Sequence, residues 1–116
     1  MPEFLQTIFT VMSGDKAILP CPIQPGALLQ QYSVRWMKGS APIAKLINPH
    51  NWLECTDTRY QIDRGSYSLI INYVTINDTS TDYECELFVR IPHTDAKHML
   101  QSIPSVTLSL KVISKS

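Results

Sequence analysis

Two distant cysteines, Cys21 and Cys85, each lie on the apolar side of a segment with alternating side chains. In residues 17–21 an alanine and a leucine share a side with Cys21, because successive side chains of an extended chain point in opposite directions. In residues 82–90 the apolar side holds Tyr83, Cys85, Leu87 and Val89. The opposite side holds Glu84, Glu86, Phe88 and Arg90. A phenylalanine therefore stands among charges on the side predicted to face solvent.

Short alternating or β-branched segments recur along the whole chain, and helical periodicity is hard to find. Turns rich in Gly, Pro, Asn, Asp and Ser separate these segments. Many short strands at this spacing predict an all-β sandwich or barrel. The predicted strands are residues 4–11, 17–22, 32–37, 43–47, 59–62, 66–72, 83–91 and 106–113.

Length and charge limit the domain count and the classes of partner. A chain of 116 residues with 44% hydrophobic residues predicts one domain, residues 1–116, with one packed core. Residues 1–4 are expected to derive from cloning, and no apolar run has the length of a membrane span or the layout of a signal peptide. Ten basic and ten acidic residues give a net charge of zero, which argues against nucleic acid or an anionic membrane as a partner.

The spacing of a tryptophan and a tyrosine relative to the two cysteines distinguishes the sandwich from the barrel. Trp36 follows Cys21 by fifteen positions, and Tyr83 precedes Cys85 by two. This set resembles the immunoglobulin V-set domain, from about residue 11 to residue 113. The resemblance implies a V-type immunoglobulin-like β-sandwich with Greek-key topology and an inter-sheet disulfide between Cys21 and Cys85. The implied core residues are Trp36, Tyr83, Leu69 and Ile71.

The chain departs from the V-set pattern in two places. The position of the aspartate that usually pairs with the arginine of strand D is occupied by Thr79. Two candidate acids lie nearby, Asp78 beside it and Asp82 further on, and Asp78 could reach Arg59 through a shifted loop. Residues 103–112 lack the Gly-x-Gly of antigen-receptor joining segments, which argues against a rearranged receptor chain. Shorter segments resemble the butyrophilin-like costimulatory ligands (residues 83–85 and 106–110), the signal-regulatory proteins (16–21 and 36–42) and the nectin and poliovirus-receptor group (77–79), so they indicate the superfamily and not the member.

Catalysis has no support in the sequence. His50, His93 and His98 fall in predicted loops without the regular spacing of a zinc site, and no phosphate-binding loop or nucleophile elbow is present. We therefore expect no enzymatic activity, no metal and no cofactor.

Two further residues require an explanation. The odd cysteine, Cys55, is a buried spectator, a link to something beyond this chain, or a competitor for the other two cysteines. The triplet at residues 77–79 is an N-glycosylation sequon, and Asn77 is its predicted acceptor.

Many V-set domains bind partners through the sheet formed by strands G, F, C and C′. The resemblance therefore predicts an extracellular module of an immune-type cell-surface receptor or counter-receptor that binds a protein ligand through this sheet and the FG loop. The alternative is a homophilic adhesion or structural domain that dimerises through the same face. We expect no nucleic acid and no direct membrane contact. The predicted partner-binding residues are Arg35, Met37, Lys45, Ile47, Glu86, Phe88, Arg90, Ile91, His93, Met99 and Leu100.

Overall fold

The computed structural model describes residues 7–22, 32–47, 52–90, 97–99 and 107–114; for residues 32, 87–90 and 97–99 it describes the backbone alone. Nearly all regular structure in these ranges is β-strand, as the alternation predicts. No helix within the described ranges has the length and apolar character that a membrane crossing requires. The strands are β1 (Thr7–Met12), β2 (Ala17–Leu19), β3 (Tyr32–Lys38), β4 (Ala41–Ile47), β5 (Trp52–Cys55), β6 (Tyr60–Ile62), β7 (Leu69–Ile71), β8 (Ser80–Arg90), β9 (Lys97–Met99) and β10 (Leu108–Ile113), with a 3-10 turn at Ile76–Asp78.

The strands form two sheets. The larger sheet has the order β1-β10-β8-β3-β4-β5, with β9 paired to β8, and the smaller sheet has the order β2-β7-β6. Strand β1 runs parallel to β10, and the other described pairs are antiparallel. This arrangement corresponds to strands A′GFCC′C″ facing strands BED. The predicted V-type sandwich with Greek-key topology is confirmed.

A disulfide and a tryptophan connect the two sheets at the centre of the core. Cys21 and Cys85 are bonded with their Cα atoms 5.5 Å apart, as predicted. Trp36 is fully buried, and its Nε1 donates a hydrogen bond to the backbone oxygen of Tyr67 at 2.9 Å. A disulfide that closes a loop of this length stabilises the fold by about 4 kcal/mol on the chain-entropy account. Tyr83, Leu69 and Ile71 are also completely buried.

A buried corner joins the smaller sheet to the start of β8. The Arg59 guanidinium donates to both carboxylate oxygens of Asp78, at 2.8 and 3.1 Å, so Asp78 takes the role that the V-set pattern gives to the position now held by Thr79. The Tyr83 hydroxyl donates to the backbone oxygen of Asp78. Burial first, and then the nearby Asp78 charge, raise the pKa of Tyr83 well above its ordinary value. The tyrosine therefore stays a hydrogen-bond donor throughout the physiological range.

Several predicted segments differ from the observed strands. The strand predicted at residues 66–72 is confined to β7, because Tyr67 has a φ of 63° and its amide donates to the backbone oxygen of Asp63 in a turn. Strand β5 lies between the predicted strands at residues 43–47 and 59–62 and is strand C″. The predicted strands leave residues 92–105 as the loop between strands F and G, but β9 lies within that range, so His98 is in a strand and not in a loop.

Candidate partner-binding face

One side of the larger sheet carries a row of polar and apolar side chains, here named the outer face. Antiparallel partners that are directly opposite share a side of a sheet, so the register identifies the members of this face. Val34 and Trp36 of β3 are buried toward the core, and the alternate residues of β3 lie on the opposite side. The described members of the outer face are Ser33, Arg35 and Met37 on β3, Glu84 and Glu86 on β8, Lys45 and Ile47 on β4, and Trp52 and Glu54 on β5.

An ion pair lies at the centre of the outer face. Arg35 is in register with Glu86, and its Nε donates to Glu86 Oε1 at 2.7 Å while a terminal nitrogen lies 2.6 Å from the same oxygen. The side chains are 31% and 19% exposed, so the pair is partly shielded from water. Paired charges of this kind add little stability, about 0–1 kcal/mol, but they place both signs of charge at defined positions.

A tryptophan at the β5 edge of the sheet is an exposed large apolar residue of the outer face. Trp52 is in register with Ile47 and is 60% exposed. Its Nε1 donates to Glu54 Oε2 at 3.0 Å, and the other carboxylate oxygen of Glu54 lies 3.6 Å from Lys45 Nζ. Glu54 thus connects the tryptophan to the lysine. Most of the Trp52 surface remains open to solvent.

Sequence reasoning missed Trp52 as a member of this face. Its neighbours in the chain are an asparagine and a leucine, and four residues of β5 are too few for alternation to assign a side. The available signal was the tryptophan itself, because a large aromatic residue in a polar segment is uncommon outside cores and interfaces.

The structure brings together five of the predicted partner-binding residues. They are Arg35, Met37, Lys45, Ile47 and Glu86. Phe88, Arg90 and Met99 belong to β8 and β9, and the Phe88 backbone is in register with both Ser33 and Met99, but their side chains lie outside the description. Ile91, His93 and Leu100 lie outside the described residues. The role of all eleven residues in binding stays a prediction.

Cys55 lines a shallow groove beside the outer face. The groove has a volume of about 310 Å³ and is lined by residues 42–45 and 54–56. The thiol is unpaired, since the other two cysteines are bonded to each other, and it donates to the backbone oxygen of Tyr60 at 3.4 Å. Burial, and secondarily the charge of Asp57, raise the pKa of the Cys55 thiol. A protonated, half-buried thiol is a weak nucleophile, which favours the spectator interpretation over exchange with the disulfide.

Within the described ranges, His, Cys, Asp and Glu side chains form no group of three or more that could hold a metal ion. The outer face carries paired charges and exposed apolar side chains.

Comparison with known proteins identifies the fold. No protein-family model and no curated protein matches the sequence. Among solved structures, the first Ig-like domain of human CD48 antigen matches with a TM-score of 0.66 at 18% identity, over 96% of this chain and 84% of that chain. Tim-4, solved in complex with phosphatidylserine, matches with a TM-score of 0.64 at 19% identity, over 93% of this chain and 99% of that chain.

A third neighbour is an adhesion protein. It is the extracellular domain of the voltage-gated sodium channel beta4 subunit, whose parallel homodimer structures are described as explaining its role in cell-cell adhesion. It matches with a TM-score of 0.63 at 16% identity, over 96% of this chain and 88% of that chain. These neighbours share the two-sheet arrangement with this chain at identities that establish the fold alone. By topology, disulfide and structural likeness, the chain has the immunoglobulin-like fold of the V type.

Proposed function

We propose that this chain is an extracellular protein-binding module of a cell-surface receptor or counter-receptor, and that it binds its protein ligand through the outer face. The observation that carries the proposal is the exposed indole of Trp52, which Glu54 holds beside a row of paired charges. Interfaces are enriched in tryptophan and arginine at their centres and carry polar groups at their rims. The structural neighbours, which are receptor and adhesion domains, support the same class of function.

The composition of the outer face favours a protein ligand. Glu86, Arg35, Lys45 and Glu54 stand in register across the sheet, with two bases between two acids, so neither sign of charge dominates. A polyanion such as nucleic acid would require an excess of basic residues, whereas a protein surface can match charges of both signs and accept an apolar anchor. The half-buried Met37 and Ile47 extend the apolar area beyond Trp52.

The test is a binding screen with a matched pair of variants. Refolded, multimerised domain is screened against a library of cell-surface ectodomains, and hits are measured by surface plasmon resonance. Trp52→Ala should weaken binding at least about tenfold, because truncation of an aromatic binding anchor typically costs about 2 kcal/mol. Ile18→Ala is the control, since Ile18 is 53% exposed but lies on β2 of the other sheet.

Two outcomes would contradict the proposal. Equal affinities for the wild type and Trp52→Ala, or a loss with Ile18→Ala alone, would place the interface elsewhere. A domain that binds no ectodomain and also remains monomeric at high concentration would argue against a recognition role for this face.

A homophilic adhesion domain is the second candidate. The presence of both charge signs on the outer face allows one copy to complement another across a twofold axis, with Glu86 of one copy near Lys45 of the next. The homodimeric sodium channel beta4 neighbour supports this candidate. Sedimentation velocity at rising concentration tests it, because a homophilic domain shifts to a dimer, and Trp52→Ala should abolish that shift while Ile18→Ala should not.

A further inference from the structure

The glycosylation sequon lies in a 3-10 turn that several other elements hold in place. Asn77 is exposed, and its backbone oxygen accepts a hydrogen bond from Lys38 Nζ at 2.8 Å. Asp78 is buried and bound by Arg59 and by the Tyr83 hydroxyl. The hydroxyl oxygen of Thr79 accepts a hydrogen bond from the backbone amide of β10 residue 112, at 3.0 Å. All three sequon residues are thus attached to parts of the chain that are distant in sequence.

This arrangement conflicts with what the glycosylating enzyme requires. An oligosaccharyltransferase must bind the hydroxyl of the third sequon residue and draw the asparagine amide into its active site, which needs an extended and accessible segment. In the folded domain Asn77 and Thr79 are exposed, but the Thr79 hydroxyl already accepts a hydrogen bond and the middle residue, Asp78, is almost fully buried. The sequon can therefore take up the extended conformation that the enzyme binds only after the corner at Tyr83 opens, and opening a buried, hydrogen-bonded segment is rare in a stable domain.

We infer that Asn77 is an N-glycosylation site that is modified only before the domain folds, and that packing of the corner around Tyr83 prevents later modification. In the reaction, Asn77 Nδ2 attacks C1 of the first sugar of a lipid-linked oligosaccharide. The bond between C1 and the pyrophosphate oxygen breaks, the lipid pyrophosphate leaves, and the amide loses a proton to a base of the transferase. The inference rests on the proposed function in one respect, because it requires that the chain be exported.

A glycan at Asn77 is compatible with binding at the outer face. Lys38, which contacts Asn77, pairs with Ala41 at the first residue of β4. Trp52 pairs with Ile47 at the last residue of β4. The six-residue separation along this strand corresponds to about 20 Å, so the glycan and the proposed anchor lie at opposite ends of the strand.

The experiment compares two states of the same chain as acceptors. Bacterially produced, disulfide-bonded protein and reduced, alkylated protein are each incubated with purified oligosaccharyltransferase and a lipid-linked oligosaccharide, and occupancy of Asn77 is measured by mass spectrometry. Circular dichroism confirms that the first sample is folded and the second is not. We expect the unfolded chain to be modified and the folded chain to react at least about a hundredfold more slowly.

Two variants separate the contributions. Thr79→Ala should abolish modification of the unfolded chain, because it destroys the sequon. Tyr83→Phe keeps the sequon but removes the hydroxyl that holds Asp78, so its folded form should be modified faster than the folded wild type.

Equal rates for the folded and unfolded chains would overturn the inference that folding closes the site, and no modification of either would overturn the site itself. The glycosylation experiment does not depend on ligand binding. A negative glycosylation result would therefore leave the proposal for the outer face intact, and a negative binding screen would leave the glycosylation result intact.

Discussion

The buried pair of Arg59 and Asp78 can be tested by replacing Asp78 with asparagine. The Asp78 side chain is 4% exposed and accepts hydrogen bonds from two Arg59 nitrogens and from the backbone amide of Thr75 at 2.7 Å. Removal of one charge from a buried pair usually costs about 3–5 kcal/mol, because the other charge is left without compensation. Arg59 is 24% exposed and keeps Asp57 as a partner, so we expect a loss of about 3 kcal/mol, at the lower end of that range.

The same variant makes a prediction about pH. Burial raises the pKa of Asp78, but the hydrogen bonds from Arg59 and Thr75 outweigh burial and hold it below the ordinary value of 3.8. Because the folded state favours the ionised form, the stabilisation from this group is present above the unfolded pKa and is lost as the pH falls through the lower folded pKa. The free energies of unfolding of the wild type and Asp78→Asn should therefore begin to converge below about pH 4 and continue to do so as the pH falls through the folded pKa.

Urea unfolding followed by circular dichroism at pH 7, 5, 4 and 3 measures both effects. Asp57→Asn is the matched control, since Asp57 also binds Arg59 but is more exposed, and its loss should be clearly smaller than that of Asp78→Asn. A cost for Asp78→Asn of less than about 1 kcal/mol at pH 7 would refute the reasoning, as would a gap that persists unchanged at pH 3.

Four further predictions test the core, the thiol, the backbone and the binding face. Trp36→Ala should lower the free energy of unfolding by about 3–5 kcal/mol in urea titrations, because it empties a fully buried site. Iodoacetamide should label Cys55 alone in the non-reduced protein. Labelling should be slow at pH 7 and faster toward pH 10, since burial raises the pKa of this thiol. Detection of label on Cys21 or Cys85 by mass spectrometry would contradict the disulfide assignment. Tyr73 has a φ of 55° and is 72% exposed, so Tyr73→Gly should be more stable than Tyr73→Ala by about 1 kcal/mol in the same titrations. Phe88→Ala should change the melting temperature by only a few degrees yet weaken ligand binding at least about tenfold. If the variant unfolds instead, Phe88 faces the core, and the predicted register of strand F is wrong by one residue.

The architecture could be predicted from the sequence because local alternation carries the information. Side chains of a strand alternate with a period of two, so residues 82–90 separate into a core set and an outer set without any knowledge of their neighbours. The same rule assigned Arg35 and Glu86 to the outer face, where the structure joins them as an ion pair. The positions of Cys21 and Trp36 then supplied the resemblance that distinguished a V-type sandwich from a barrel.

Strand β9 and the position of Trp52 depended on pairing between segments. Strands of three or four residues, such as β9 and β5, are too short to show alternation, so only hydrogen bonding to β8 and β4 defines them. Trp52 belongs to the outer face because of its register with Ile47, and a shift of one residue would have turned it to the other side.

The sequence alone determined that an arginine, two candidate acids and a sequon exist near residues 59 and 77–79. Only the tertiary structure decided that Asp78 binds Arg59 and that the Thr79 hydroxyl accepts a hydrogen bond from β10. The physical reason is that a strand's pattern is local, whereas these contacts join residues 19 and 33 positions apart. They form only when the two sheets have packed and the 3-10 turn has fixed which side chain points inward.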